Sequence, residues 1–222
     1  MRRVWITRTQ PQADATAARV RAKGWEPVVA PVLTVRPVTD AAVDLTGIEA
    51  LAFTSAAGVR AFADVSQAGG LSVFAVGEAT AEAARAAGFA DVRASSGDVE
   101  TLAAFIADAS PKPDGILAPT AREPAADIVA LLAARGISAR SVVVYETVPV
   151  EIAAPVQIDT VLVHSARAAG LVARLITADG ASALTALAIS EAAAAPLRTL
   201  PFARILVAPF PGEASLIDLL QG

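Results

Sequence analysis

The sequence predicts an α/β protein of two similar lobes, each a parallel sheet flanked by helices, and two observations carry that expectation. Short β-rich runs alternate with alanine-rich helical runs along the 222 residues, the pattern of parallel strands joined by crossover helices. The chain also repeats itself. ALAFTSAAGV is answered by TVLVHSARAAG, with Ser165 standing 110 residues after Ser55. FAVGEATAEA is answered by LAISEAAAAP, with Glu191 113 residues after Glu78, and DVRASSGDVETLAAFI by RILVAPFPGEASLIDLL, with Leu216 114 residues after Leu102. Gly136 follows Gly24 by 112 residues, and VYETVP echoes VLTVRP. So small a drift points to two lobes of roughly 100 residues each, facing one another across a cleft.

Taken in order, VWIT reads as the first strand and is followed by a helix from about Pro11 to Lys23. Pro11 suits a first helical turn because its missing N–H needs no partner there, and Gly24, Gly88 and Gly136 suit the left-handed residue that ends a helix. EPVVAPVLTV is extended, and then come ALAF, a helix, SVFAV and a further helix. The matched segments from Pro31 to Pro37 and from Val142 to Pro149 are flanked by prolines and followed by composition breaks. They read as crossings between the lobes, near 31–40 and 142–150. On this reading residues 1–36 and 150–222 build lobe one and residues 40–146 build lobe two, and two crossings restrict hinge motion more than one.

Composition narrows the function. Hydrophobic residues make up 55%, much of it alanine, with 18% charged residues and a net charge of −4. No basic run interleaved with aromatics suggests nucleic acid. There is no cysteine, hence no disulfide, thiol nucleophile or cysteine-ligated zinc, and the single histidine, His164, argues against a histidine-based metal site. MRRVWITRTQ turns polar after three apolar residues, and ASALTALAISEAAAAPL is broken by Glu191 and Pro196. Neither a secretion signal nor a membrane span is expected, so the expected location is cytoplasmic.

Open α/β sheets bind ligands beyond the carboxyl ends of their strands, where helix N-termini direct unpaired N–H groups outward. Small polar residues recur there: Thr54 and Ser55 after ALAF, Gly77 to Thr80 after SVFAV, Ser95 to Asp98 after DVRA, Ser165 after TVLV and Ser190 after LTALAI. Such turns favour anions, although each alone reads first as a helix cap. GxGxxG, GxxxxGKS, GxSxG and HExxH are all missing. Glu78 and Glu191 occupy equivalent first turns, where an acid stabilises the helix, and that reading outweighs a catalytic pair. His164 beside Ser165 reads as a packed or capping residue before it reads as a general acid or base. Tyr145 is the only tyrosine and lies on the second crossing; an aromatic in a β run is usually packing, but here its hydroxyl would be within reach of the cleft.

Together these pieces resemble the uroporphyrinogen-III synthase family: ITRTQ with Arg8, FTSAAGV, AVGEATAEAARAAG, VYETVP with Tyr145, and the echoes VHSARAAG and LAISEAAAAPL. The resemblance covers essentially the whole chain. It implies two α/β lobes joined by a two-stranded β linker, no cofactor and no metal. It also implies a cyclising hydro-lyase that closes the linear polycarboxylate hydroxymethylbilane with inversion of the terminal ring. Tyr145 then matches the residue assisting loss of the hydroxyl. Arg8, Thr54, Ser55, Gly77, Thr80 and Ser165 match substrate-contacting positions; the family's RGxxGR loop is missing, and APTAREP in its place leaves Arg122 as a candidate carboxylate partner. Ser190 and Ala193 stand where the second copy often has glycine and threonine. The expected partner is a small molecule, not a membrane or nucleic acid, and the expected state a monomer. A two-lobed solute-binding protein would share the architecture but is normally exported. The alternative is a non-catalytic tetrapyrrole-binding or regulatory module of the same fold.

Overall fold

A computed structural model of the chain describes residues 1–66 and 70–220. The chain divides into two compact units, Met1–Thr34 with Val148–Gly222 and Val35–Thr147. These are, in that order, unit 1 and unit 2.

Unit 1 begins with β1 (Arg3–Ile6), α1 (Gln12–Ala22) and β2 (Glu26–Val29). The chain then runs through β3 (Leu33–Pro37) into unit 2. There follow β4 (Ala50–Phe53), α2 (Ala56–Val65), β5 (Ser72–Val76), α3 (Glu78–Ala86), β6 (Val92–Ser95), α4 (Val99–Ala107), β7 (Gly115–Ala121) and α5 (Ile128–Ala133). The chain returns along β8 (Ser138–Pro149) and completes unit 1 with β9 (Thr160–Val163), α6 (Ala166–Leu175), α7 (Ala178–Ser182), β10 (Thr185–Ala188), α8 (Glu191–Ala194), β11 (Arg204–Val207) and α9 (Glu213–Ile217).

The sheet orders are β11-β10-β9-β1-β2 and β3-β8-β7-β4-β5-β6. All the strand pairs of unit 1 are parallel, as are β6-β5-β4-β7-β8 in the other sheet. Beside β3, the Val38 N–H donates to the Val144 carbonyl at 2.8 Å and the Val150 N–H to the Val32 carbonyl at 3.0 Å. Partners rise along one strand as they fall along the other, so β3 and β8 run antiparallel. This pair is the two-stranded linker.

The repeat has a topological meaning. Matching β9, β10, β11, β1 and β2 to β4, β5, β6, β7 and β8 superposes the two sheet orders. Unit 1 is the same unit started at a different strand: its opening β1-α1-β2 answers the closing β7-α5-β8 of unit 2. That is why Gly24 and Gly136 correspond. In each order the chain moves one way from β9 or β4 and the other way from β1 or β7. The reversal opens a crevice at the carboxyl ends of those two strands.

Burial on both faces explains the uninterrupted apolar strands. Successive residues alternate between faces, so Trp5, Val161 and Val163 pack with Ala168, Ala169 and Val172 of α6. Val4, Ile6 and Leu162 pack on the other side with Ala13, Ala17 and Val20 of α1 and Leu216 and Ile217 of α9. In unit 2, Ala50 and Ala52 meet Leu102, Ile106, Ile128 and Leu132, while Leu51 and Phe53 meet Val59, Phe62 and Ala84.

Two details depart from the sequence reading. Pro11 sits at the cap, one residue before α1. EPVVAPVLTV is two strands, because β2 pairs with β1 while β3 lies beside β8. Gly24 and Gly88 follow their helices at φ +81° and +94°, the left-handed conformation expected of them.

Gly115 and Gly170 give a paired test of the packing. A Cβ on Gly115 would lie 1.9 Å from the Gly47 carbonyl oxygen, a backbone atom, whereas one on Gly170 inside α6 meets nothing within 4 Å. Gly115→Ala should therefore destabilise by on the order of 3 kcal/mol, and Gly170→Ala should stabilise by about 0.5–1 kcal/mol. Urea midpoints decide, and equal shifts of the two variants would refute the assigned backbone approach.

Candidate active site

Unit 2 presents its polar groups at the reversal between β4 and β7. Ser55 follows β4 and caps α2, its Oγ accepting from the Gly58 N–H at 3.0 Å. The same Oγ lies 2.9 Å from the Tyr145 hydroxyl. These two residues, 90 apart in sequence, are brought together by β8. Register from β7 to β8 shifts between Thr120, opposite Val143, and Ala121, opposite Tyr145. Val144 is therefore the extra residue of a bulge, which re-aims the residue after it. Val144 and Tyr145, though consecutive, both pack against the same apolar cluster. Gly58 lets the Pro119 carbonyl oxygen of β7 come close, since a Cβ there would lie 3.1 Å from it, while Tyr145 Cε1 at 3.6 Å would be in ordinary contact.

Gly77 and Thr80 stand at the carboxyl end of β5, beside β4. Gly77 is the N-cap of α3 at φ +71°, which disfavours any side chain, so no cap side chain occupies the N–H groups of α3. Thr80, 5% exposed, is not the cap of its helix. Thr54 is half-buried. Arg122 does not join Tyr145 through its side chain: its Nε donates to Glu146 at 3.1 Å in an exposed pair, while its backbone N–H donates to the Tyr145 carbonyl at 2.9 Å.

In unit 1 the reversal lies between β9 and β1, and it is occupied by a charged cluster. Arg8 Nη1 donates to Glu213 Oε2 at 2.6 Å, His164 Nε2 meets the same oxygen at 2.9 Å, and Thr16 Oγ1 donates to Glu213 Oε1 at 2.5 Å. Arg19 Nη1 lies 3.9 Å from Oε1. Burial pushes the Glu213 carboxyl up, but hydrogen bonds from His164 and Thr16 and the charges of His164 and Arg8 prevail, holding it at about 2 against an ordinary 4.5. Burial lowers the Arg8 guanidinium, with Glu213 opposing; arginine remains charged regardless. Ser165 caps α6, accepting from the Ala168 N–H at 3.1 Å.

Sequence reasoning missed Glu213 and Thr16. Glu213 opens a helix, where an acid is ordinary, and its partners lie 49, 197 and 205 residues away. Glu78 and Glu191 keep the structural reading, paired with Arg85 and Arg198 respectively. Ser190 caps α8, accepting from the Ala193 N–H. A cavity of about 130 Å³ lined by Glu49, Ser72, Phe74, Arg93 and Lys112 lies at the opposite, amino ends of β4 and β5. Among the described residues no cluster of three His, Cys, Asp or Glu could hold a metal, and no helix is long and apolar enough to cross a membrane.

The sequence matches the family described as uroporphyrinogen-III synthase HemD over residues 14–218. The chain belongs to the uroporphyrinogen-III synthase family. These are cyclising enzymes of tetrapyrrole biosynthesis, on the route to haem. Among solved structures, uroporphyrinogen-III synthetase from Helicobacter pylori is 17% identical with a TM-score of 0.69, covering 99% of this chain and 98% of that one. A mutant uroporphyrinogen III synthase from the extremely thermophilic bacterium Thermus thermophilus is 16% identical with a TM-score of 0.53, covering 99% and 97%. At these identities the likeness shows the fold. No curated protein sequence matches the chain.

The Glu213 cluster predicts an acid sensitivity. A carboxyl held at about 2 when folded and 4.5 otherwise contributes stability that is fully present above 4.5 and is lost as pH falls toward 2. The contribution is at most about 3 kcal/mol. Urea unfolding at about pH 6 and about pH 3 should show a larger loss for the wild type than for Glu213→Gln; parallel losses would show that this carboxylate is not responsible.

Proposed function

We propose that the protein is a cofactor-independent, metal-independent lyase that closes hydroxymethylbilane to uroporphyrinogen III, acting as a monomer in the cytoplasm. The observation that carries the catalytic assignment is the Ser55–Tyr145 hydrogen bond. Either hydroxyl can donate across this bond; with Ser55 Oγ accepting from Gly58 and donating its own proton to the Tyr145 oxygen, the phenolic O–H is free to donate outward. Aligned as Gly58 N–H to Ser55 to Tyr145, each bond polarises the next. The outward proton assists departure of the substrate hydroxyl as water. The resulting azafulvene cation is attacked by the far pyrrole, giving a spiro intermediate that fragments and recloses with that ring inverted. The cation forms readily, so the protein's main contribution is to hold the chain folded for the spiro route, with modest acid help.

Thr54, Ser55, Gly77 and Thr80 in unit 2 and Arg8 and Ser165 in unit 1 contact the substrate. The uncapped α3 N-terminus supports Gly77 and Thr80 as a carboxylate contact. Arg122 retains a weaker claim, since Glu146 already holds its guanidinium.

Freshly prepared hydroxymethylbilane supplied with chelator and no cofactor should give mostly the type III isomer. Type I alone, at the rate of unaided closure, would favour the non-catalytic tetrapyrrole-binding reading. In the same assay Tyr145→Phe should lower turnover by roughly ten- to a hundredfold with the fold intact; unchanged turnover would return Tyr145 to packing.

Thr80→Ala separates substrate contact from local stability. Loss of a hydrogen bond to a carboxylate should weaken product binding by about 1–3 kcal/mol, with a smaller effect on stability because Gly77, not Thr80, caps α3. A lower melting temperature with unchanged product affinity would remove Thr80 from the site.

A further inference from the structure

The charged cluster of unit 1 is built as a receptor. Its donors come from three separate places: Arg8 beyond β1, Thr16 on α1 and His164 beyond β9. They converge on one carboxylate from a fourth, Glu213 at the start of α9. The receiving side is partly assembled without that carboxylate. Arg8 Nη1 donates to Thr16 Oγ1 at 3.3 Å, Thr16 is fully buried, and the His164 side chain is 9% exposed.

The carboxylate stands at the start of α9, directly after an exposed turn. Pro209, Phe210 and Pro211 are exposed, Phe210 at 74%, and Gly212 supplies no capping side chain. The Phe210 N–H donates to Ser215 Oγ of α9 at 3.3 Å, and α9 is tied to α1 both by Glu213 with Thr16 and by the ion pair of Lys23 with Asp218 at 2.8 Å.

Two features exceed what a simple internal latch requires. Arg8 and Arg19 bring two positive charges to one carboxylate, leaving a surplus even with His164 neutral. His164 Nε2 lies 2.9 Å from Glu213 Oε2, while its buried Nδ1 has no hydrogen-bond partner, so the ring holds polar capacity that Glu213 does not use. A ligand carboxylate answers the surplus positive charge, and an acid-substituted pyrrole carries one.

We propose that Arg8, Thr16 and His164 form a carboxylate-binding cradle, held closed by Glu213 of the chain's own last helix, which a substrate carboxylate enters by displacing Glu213. The cradle stands on the geometry alone; the identity of the incoming carboxylate rests on the tetrapyrrole reading. No bond is made or broken beyond hydrogen bonds and ion pairs.

His164 is the only histidine in the chain, so imidazole ¹⁵N resonances of the labelled full-length protein report this cradle alone. In Glu213→Ala, acetate should shift those resonances saturably and raise the melting temperature, chloride at equal ionic strength should do neither, and the further change Arg8→Ala should abolish both responses. Equal effects of acetate and chloride would overturn the cradle. If Glu213→Ala does not fold, Glu213→Gln fills the same space without charge, and its histidine should respond to acetate at lower concentration than the wild type's. In the wild type, uroporphyrinogen III kept reduced should move the His164 signals as it binds, and binding without any change there would overturn displacement. Absence of tetrapyrrole binding would instead fail the proposed function, while the acetate arm still decides the cradle.

Discussion

Helix cover on both faces of each sheet is the constraint from which most of the molecule follows. Parallel strands joined by crossover helices cannot leave a face in water, so every central strand is apolar on both sides and the faces have no place for polar chemistry. Polar side chains are displaced to the strand ends. There the helices begin, N–H groups lack partners, and the reversal of strand order keeps neighbouring helices apart. Ser55 with Tyr145, and Arg8 with His164 and Glu213, occupy the corresponding reversals of the two units.

Equivalent crevices have been used differently. In unit 2 the reversal holds two neutral hydroxyls, and the helix start beside it has a glycine in place of a capping side chain. In unit 1 the matching helix start is capped by Ser190, and the reversal carries an ionised network instead. His164 takes the sequence position that Thr54 holds in the first copy, so a single exchange in the repeat marks the change from hydroxyl to charged chemistry. The neutral pair suits proton donation to a leaving group. The charged one suits recognition of acidic side chains.

Much of this was legible in the chain. Alternating runs indicated the class, the repeat indicated two units of one topology, and serines after strands marked the helix caps that Ser55, Ser165 and Ser190 proved to be. What stayed hidden has physical reasons. The bulge at Val144 is one inserted valine in a run of valines and leaves no compositional trace, yet it decides where Tyr145 points. Thr16 sits among alanines in a helix whose polar face is unremarkable. Glu213 looks like any first-turn acid, and only the meeting of β1, β9 and the last helix gives it partners. Side chains that act through distant contacts carry no local pattern, whereas those that cap or terminate helices do.

The displaced starting strand of unit 1 also sets the order in which the chain can fold as it is made. Residues 35–147 are continuous, so unit 2 has all its strands as soon as β8 has emerged. The opening β1-α1-β2 segment is synthesised first but lacks its neighbour β9 until the whole of unit 2 has followed it. A lone pair of parallel strands with one helix buries too little surface to persist. The N-terminal segment therefore waits, with Val4, Trp5 and Ile6 uncovered, while the middle of the protein is already native. Unit 1 cannot complete its sheet until β9 has emerged, so its apolar opening strand is the more aggregation-exposed part of the chain during synthesis.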